Sequence, residues 1–193
     1  MPQFIKIVES ALDPEFCRKV IERFDADARV QPDPQPHYST RKYLNISECA
    51  EWRAINIQFA RIAGALVRDY FVRDDDLDDA THHETSDDGY VVSRYDPGDG
   101  VIMHVDGQCS AYPNNGLRLA TLLFYLNDVP DGGETWFPLQ NAKVRPAQGR
   151  AILFPVGFTH PHSVLATKSK RYIMQTWITD QNLMVLDRAE FEE

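Results

Sequence analysis

Several things are scarce in this 193-residue chain, and each scarcity narrows what it can be. No apolar run approaches the ~20 residues that a membrane-spanning helix needs, so no membrane partner is expected. The start, MPQFIKIVESALDPEF, lacks a basic stretch followed by a long apolar core, so it reads as no signal peptide. Cysteine is limited to Cys17, Cys49 and Cys109, an odd number at wide spacings. That argues against a disulfide framework and points to a reducing cytoplasm. Positive charge is short as well: 20 Lys and Arg stand against 29 Asp and Glu, a net charge of −9. Broad contact with nucleic-acid phosphates needs the opposite balance, so no nucleic-acid partner is expected. There is no internal repeat. The length suits about one domain, and 43% hydrophobic with 25% charged residues is ordinary for a folded globular protein.

The negative charge is concentrated. Residues 74–88, DDDLDDATHHETSDD, hold eight acids and no Lys or Arg, which leaves 21 acids and 20 bases elsewhere. With nothing apolar to bury, this segment reads as a solvated loop; a metal site or a dock for a basic partner are the alternatives. His82 and His83 fall within it. It separates two regions of different character. Before it, FIKIV (4–8) and KYLNI (42–46) read as strands, and QPDPQPHYS (31–39), with three prolines in six residues, reads as a loop. Asp13-Pro14-Glu15 is a helix start, and Cys17, Val20, Ile21 and Phe24 give residues 14–26 an apolar stripe. From Ser47 to about Arg73, Ile55, Phe59, Ile62, Leu66 and Tyr70 keep helical spacing, which predicts one long helix. After residue 89 come YVVSRY, VIMHVD, LRLATLLFYL, GETWF, AILFP, SVLA and RYIMQTWI. They are short, β-branched and aromatic, and broken by Pro, Gly, Asn and Asp, as in a sandwich or jelly roll.

Three places carry chemistry. In a strand, His104 and Asp106 share one face and can offer an imidazole and a carboxylate to one metal; polar residues on a solvated strand face do the same without function. GFTHPHSV (157–164) adds His160 and His162. Two imidazoles and one carboxylate with open positions make the facial triad of non-haem Fe(II) oxygenases, and the lack of thiolates argues against structural zinc. In RYIMQTWI, Arg171, Ile173, Gln175 and Trp177 share a face. An arginine among such apolar neighbours is either a surface charge or a buried group that meets an anion, and its planar fork matches a carboxylate.

Tyr95–Ile178 resembles the Fe(II)/2-oxoglutarate-dependent dioxygenases, in particular their prolyl 4-hydroxylase-like branch. The matching text is YDPGDGVIMHVD, LRLATLLFYLNDVPDGGETWFP, VRPAQGRAILFP and PHSVLATKSKRYIMQTW, with the HxD pair, a distal histidine and an arginine in the family's order. The N-terminal FIKIVESALDPEFCRKVIERF resembles the superfamily's lead-in less specifically. The resemblance implies a mainly β fold, a double-stranded β-helix (cupin-like jelly roll) with N-terminal helices. With the length and the charge pattern, the chain reads as one catalytic domain over 1–193: a helical support region 1–73, an acidic loop 74–88 and a jelly roll 89–180.

The resemblance implies Fe(II) on His104, Asp106 and His162, and the distal carboxylate of 2-oxoglutarate on Arg171. Tyr95 and Tyr125 match positions at the cosubstrate pocket. Gln175 stands where some relatives carry a hydroxyl residue beside the arginine. Spacing to Arg171 and Trp177 favours His162 over His160 as the ligand. Collagen-type enzymes use lysine in place of Arg171, and arginine is more like the oxygen-sensing branch. Halogenase relatives carry a small residue in place of Asp106, so the carboxylate argues for hydroxylation.

The implied reaction is hydroxylation coupled to decarboxylation of 2-oxoglutarate to succinate, with O2 as cosubstrate and ascorbate as a candidate further cofactor. A peptidyl proline is the expected substrate. A free amino acid or other small molecule is the alternative, and a binding or sensor module without turnover is the alternative of a different class. The loops 29–41 and 107–117, with Tyr112 and Pro113, are expected at the entrance. His37 and Cys109 are read as ordinary loop residues, and the sequon Asn45-Ile46-Ser47 has no secretory signal to support its use.

Overall fold

A computed structural model describes residues 4–71, 85–107 and 116–180. The calls on His82, His83, Cys109, Tyr112, Pro113 and most of the acidic segment lie outside the described residues. Among the described residues, no helix is long and apolar enough to cross a membrane.

Two antiparallel sheets face each other, and two helices cover the outer face of the larger one. Along the chain come β1 (Lys6–Val8), α1 (Pro14–Ala26), β2 (Gln31–Pro32), β3 (Lys42–Asn45), two 3-10 turns (Ile46–Glu48 and Ala50–Trp52) and α2 (Arg53–Phe71). Then follow β4 (Thr85–Asp87), β5 (Val91–Tyr95), β6 (Val101–His104), β7 (Leu117–Tyr125), β8 (Thr135–Phe137), β9 (Ala142–Val144), β10 (Ala151–Pro155), β11 (His162–Val164) and β12 (Arg171–Asp180). The large sheet has the order β1-β10-β7-β12-β5-β3-β2, with β4 also paired to β12; the small sheet is β6-β11-β8-β9. This is the double-stranded β-helix expected from the sequence.

The alternation of side chains on the central strands makes two cores. On the helix side, Leu122 and Phe124 of β7 and Met174 of β12 pack against Phe16, Val20 and Phe24 of α1 and Phe59 of α2. Between the sheets, Leu123 and Tyr125 of β7, Ile152 and Phe154 of β10 and Ile173 of β12 meet Phe137 and Val164 of the small sheet. The first helix begins where expected: Asp13 accepts hydrogen bonds from the backbone N–H of Glu15 and Phe16, satisfying donors left free at a helix start.

Three expectations are corrected. The second helix starts at Arg53, not Ser47, because Cys49 is extended (φ −114°, ψ 107°) and separates two 3-10 turns. Its buried stripe is Ile55, Phe59, Ala63 and Val67, with Ile62, Leu66 and Tyr70 at the flanks. The Pro-rich stretch opens with the two-residue strand β2, and Pro32 sits at the sheet's edge, where a missing N–H costs no ladder bond. The acidic segment does not end as a solvated loop: Thr85–Asp87 pairs with the end of β12. Asp88 is buried and accepts two hydrogen bonds from Arg118, at 2.6 and 2.9 Å.

Candidate metal centre and its cavity

β6 and β11 lie side by side, and His104 is the register partner of His162. Asp106 follows two residues after the end of β6 and still turns toward the same point. His104 Nε2 is 3.5 Å from Asp106 Oδ1, and His162 Nε2 is 3.8 Å from Asp106 Oδ2. One ligand atom from each residue falls within 4.8 Å of the others. Each imidazole is held from behind. His104 Nδ1 meets the Ile102 carbonyl at 2.8 Å and His162 Nδ1 meets the His160 carbonyl at 3.1 Å. A carbonyl only accepts, so both Nδ1 atoms carry the proton and both Nε2 lone pairs point to the centre. Thr121 donates to Asp106 Oδ2. Phe137 and Phe154 pack on the His162 ring, at 5.5 and 4.8 Å between centroids.

The ionisation states suit a metal. Burial alone would raise the Asp106 carboxyl, but the hydrogen bond with His104, the charge of His162 and the bond from Thr121 outweigh it and hold the pKa at about 2. Burial pushes the His162 imidazole below its ordinary value. Near neutral pH this places an ionised carboxylate beside a neutral imidazole, the forms that ligate. Two imidazoles and one carboxylate on one side, with no thiolate, fit Fe(II) with open positions.

The triad lines a cavity of about 520 Å³ between the sheets. Arg171 lies against two of its lining residues. Its guanidinium is 4.7 Å over the Tyr95 ring, and Nη2 donates to Thr135 Oγ1 at 3.4 Å. The Arg171 residue is 0% exposed, yet among the described residues Nε and Nη1 have no hydrogen-bond partner. A buried cation left this way is costly unless an anion meets it, so the site fits a carboxylate. The GGETWFP turn explains part of this geometry. Gly133 has φ +72°, and a Cβ there would come within 3.1 Å of Arg171 Cδ.

The structure brings His104, Asp106 and His162 together and places Arg171 against Tyr95 and Thr135, which line the same cavity. Tyr95 lines the cavity, and Tyr125 is buried with its ring 5.4 Å from the Arg171 guanidinium and its hydroxyl 2.7 Å from Thr135 Oγ1. Gln175 lines the cavity too and accepts a hydrogen bond from Arg41. His160 stands outside the metal cluster: its Nδ1 is 2.9 Å from Thr159 Oγ1, and its carbonyl orients His162. From the loop 29–41, Asp33, Pro34, Gln35 and Tyr38 line the cavity; His37 is exposed.

Sequence reasoning missed Thr121, Thr135, Tyr38, Arg41 and the Arg118–Asp88 pair. One signal was available: Thr121 alternates with Leu123 and Tyr125, which puts a hydroxyl on the inward face of β7. The others depend on strand order.

Known proteins agree with this geometry. Residues 90–179 match the family model of the 2OG-Fe(II) oxygenase superfamily. Prolyl 4-hydroxylase 13 of Arabidopsis thaliana is 31% identical over 119 residues, 49% of this chain and 43% of the relative. The chain thus spans about two-fifths of the length of the curated relatives it matches. Among solved structures, the fold is shared with a prolyl hydroxylase from Trichoplax adhaerens in complex with a hypoxia inducible factor peptide fragment. That match has a TM-score of 0.73 and 19% identity, over 92% of this chain and 84% of that one. The fold is also shared with a viral collagen prolyl hydroxylase from Paramecium bursaria Chlorella virus-1 in a 2OG complex, with a TM-score of 0.65 and 22% identity over 91% and 95%. Residues 90–179 thus match the 2OG-Fe(II) oxygenase superfamily, and the curated relatives that the chain resembles are prolyl 4-hydroxylases.

Proposed function

We propose that the chain is an Fe(II)- and 2-oxoglutarate-dependent hydroxylase of a peptidyl proline. The observation that carries this reading is the His104–Asp106–His162 cluster in a cavity whose lining residues Tyr95 and Thr135 hold a fully buried arginine, with Nε and Nη1 unpartnered among the described residues. The match to the 2OG-Fe(II) oxygenase superfamily implies Fe(II), 2-oxoglutarate and O2. Together they supply an oxidant that inserts one oxygen atom into a C–H bond while 2-oxoglutarate becomes succinate and carbon dioxide.

The chain's own residues do the rest. His104, Asp106 and His162 hold the metal on one side. Arg171 takes the far carboxylate of 2-oxoglutarate, with Nη1, which has no partner among the described residues, as a donor to it. Thr135 and the rings of Tyr95 and Tyr125 fix the guanidinium, and Phe137 and Phe154 keep water from the back of His162. The peptide reading is supported by the relatives, which are prolyl 4-hydroxylases, and by the Trichoplax structure with its bound peptide fragment. A sensor module without turnover is disfavoured because every ligand and the anion anchor are present.

Three further readings are part of the proposal. Residues 1–193 act as one domain, supported by β1 and β3 joining the same sheet as β12. The compartment is the cytoplasm, supported by Cys17 and Cys49, which are free and buried. Ascorbate sustains turnover by keeping iron reduced. Succinate formation with Fe(II) and O2, with and without ascorbate, tests the activity. A panel of proline peptides, free amino acids and other small molecules identifies the substrate. Proline-peptide-dependent succinate is expected; stimulation by free amino acids alone would replace the peptide reading.

A further inference from the structure

The half of the cavity away from Arg171 is built differently. β12 sends Arg171, Ile173, Gln175 and Trp177 toward the small sheet in turn. At ~3.3 Å per residue, Gln175 lies about 13 Å along the strand from Arg171, too far to share one small diacid with it. Gln175 is held by a chain of hydrogen bonds. Asp33 Oδ1 accepts from the Gln35 backbone N–H at 3.0 Å, and Asp33 Oδ2 accepts from Arg41 Nε at 2.8 Å. Arg41 Nη1 then donates to Gln175 Oε1 at 3.2 Å. A guanidinium only donates, so the carboxamide oxygen must face Arg41 and the amide N–H2 is left for the cavity. Two residues on, Trp177 lines the same cavity with a buried Nε1–H that has no partner among the described residues.

Charge decides what these donors can read. Arg41 is paired with the buried Asp33 and Arg118 with the buried Asp88. Among the described residues, Arg171 is the arginine at this cavity with no carboxylate beside it. The outer half therefore offers donors without net positive charge. A carboxylate there would stay uncompensated; an amide carbonyl needs only a donor.

We propose that Gln175, set by Arg41 and Asp33, is a specificity-determining donor to an amide carbonyl of the substrate. The inference rests on the hydroxylase reading for what the cavity does. Gln175 touches substrate, and Arg41 is a positioning residue that acts through it.

The test uses the full chain and two probes: blocked tetrapeptides with a central proline, and free proline. Calorimetric binding to the metal-free protein is measured beside succinate formation. Gln175→Leu and Gln175→Glu should weaken blocked-peptide binding fivefold or more and raise the peptide KM by the same factor. The KM for 2-oxoglutarate should stay within twofold. Arg41→Met should raise the peptide KM with kcat little changed, and Arg41→Lys should recover part of the loss. Melting curves identify variants that fail to fold, and the Glu variant keeps the side-chain shape if the Leu variant does fail. Unchanged peptide binding and KM in folded Gln175 variants would overturn the proposal. So would a shift in the 2-oxoglutarate KM instead, or tighter binding of free proline than of blocked peptides. Gln175-dependent peptide binding without any succinate would leave this proposal standing and remove the hydroxylase reading.

Discussion

The two faces of the large sheet are made by alternate residues of the same strands, yet they follow opposite rules. On the helix side, Phe59 stands at the centre of an aromatic group, 5.0 Å from Phe16, 5.9 Å from Phe124 and 6.1 Å from Tyr90. On the inter-sheet side, β12 contributes Arg171, Gln175 and Trp177, and among the described residues buried atoms of Arg171 and Trp177 lack partners. Each orphaned polar group costs about 1–3 kcal/mol. The helix side supplies stability through apolar burial, and the inter-sheet side carries a cost that a ligand can relieve. One β-strand can serve both because its pleat separates the two sets of side chains completely.

The largest effect should come from breaking the stabilising face. Phe59→Ala removes the centre of the aromatic group and should cost about 3–5 kcal/mol. Urea unfolding measures it; a loss below about 1 kcal/mol would mean that this core is not where the stability lies. The next variant breaks the other face. His162→Ala should lower Fe(II) affinity a hundredfold or more while shifting the melting temperature little, and His160→Ala should retain most of the iron binding. Metal titration separates the two, and loss confined to the His160 variant would move the ligand assignment.

That comparison also explains what could be read in advance. The first helix was legible because its cap, Asp13, and its stripe, Phe16 to Phe24, are local. The HxD pair was legible for the same reason, and Arg171 because its spacing from His162 is a property of one segment. The start of the second helix was not, since Cys49 breaks it and Trp52 is tied by its indole N–H to Asp27, 25 residues earlier. β2, β4 and β9 have two or three residues each, too few to show a period. Asp88 was misread because charge counting along the chain cannot see Arg118, which strand order brings to it. Arg41 reached Gln175 by the same route, across 134 positions.

A subtler prediction uses the cost on the inter-sheet face. Arg171→Met should raise the 2-oxoglutarate requirement tenfold or more, because a charge-assisted hydrogen bond is worth about 1.5–3 kcal/mol. Without ligand, the same variant should be as stable as the parent or more stable, since it deletes an uncompensated buried cation. Thermal melts with and without 2-oxoglutarate show both effects. A ligand-free variant that melts well below the parent would mean that the arginine is part of the scaffold.

The smallest effect probes a polar contact on the helix side. Bonding from Arg29, helped by the Trp52 indole N–H, holds the Asp27 carboxyl well below the usual carboxylate range. A carboxyl depressed in the folded state stabilises the fold at any pH above its unfolded pKa, about 3.9. That contribution is lost as the pH falls below 3.9 toward the folded value. Asp27→Asn should therefore be less stable than the parent at pH 7, and the gap between the two should close below about pH 4. Urea midpoints at pH 7, 5, 4 and 3 follow the gap. A gap that stays constant over this range would assign the loss to the amide's altered hydrogen bonding with Arg29 and Trp52, and not to the charge.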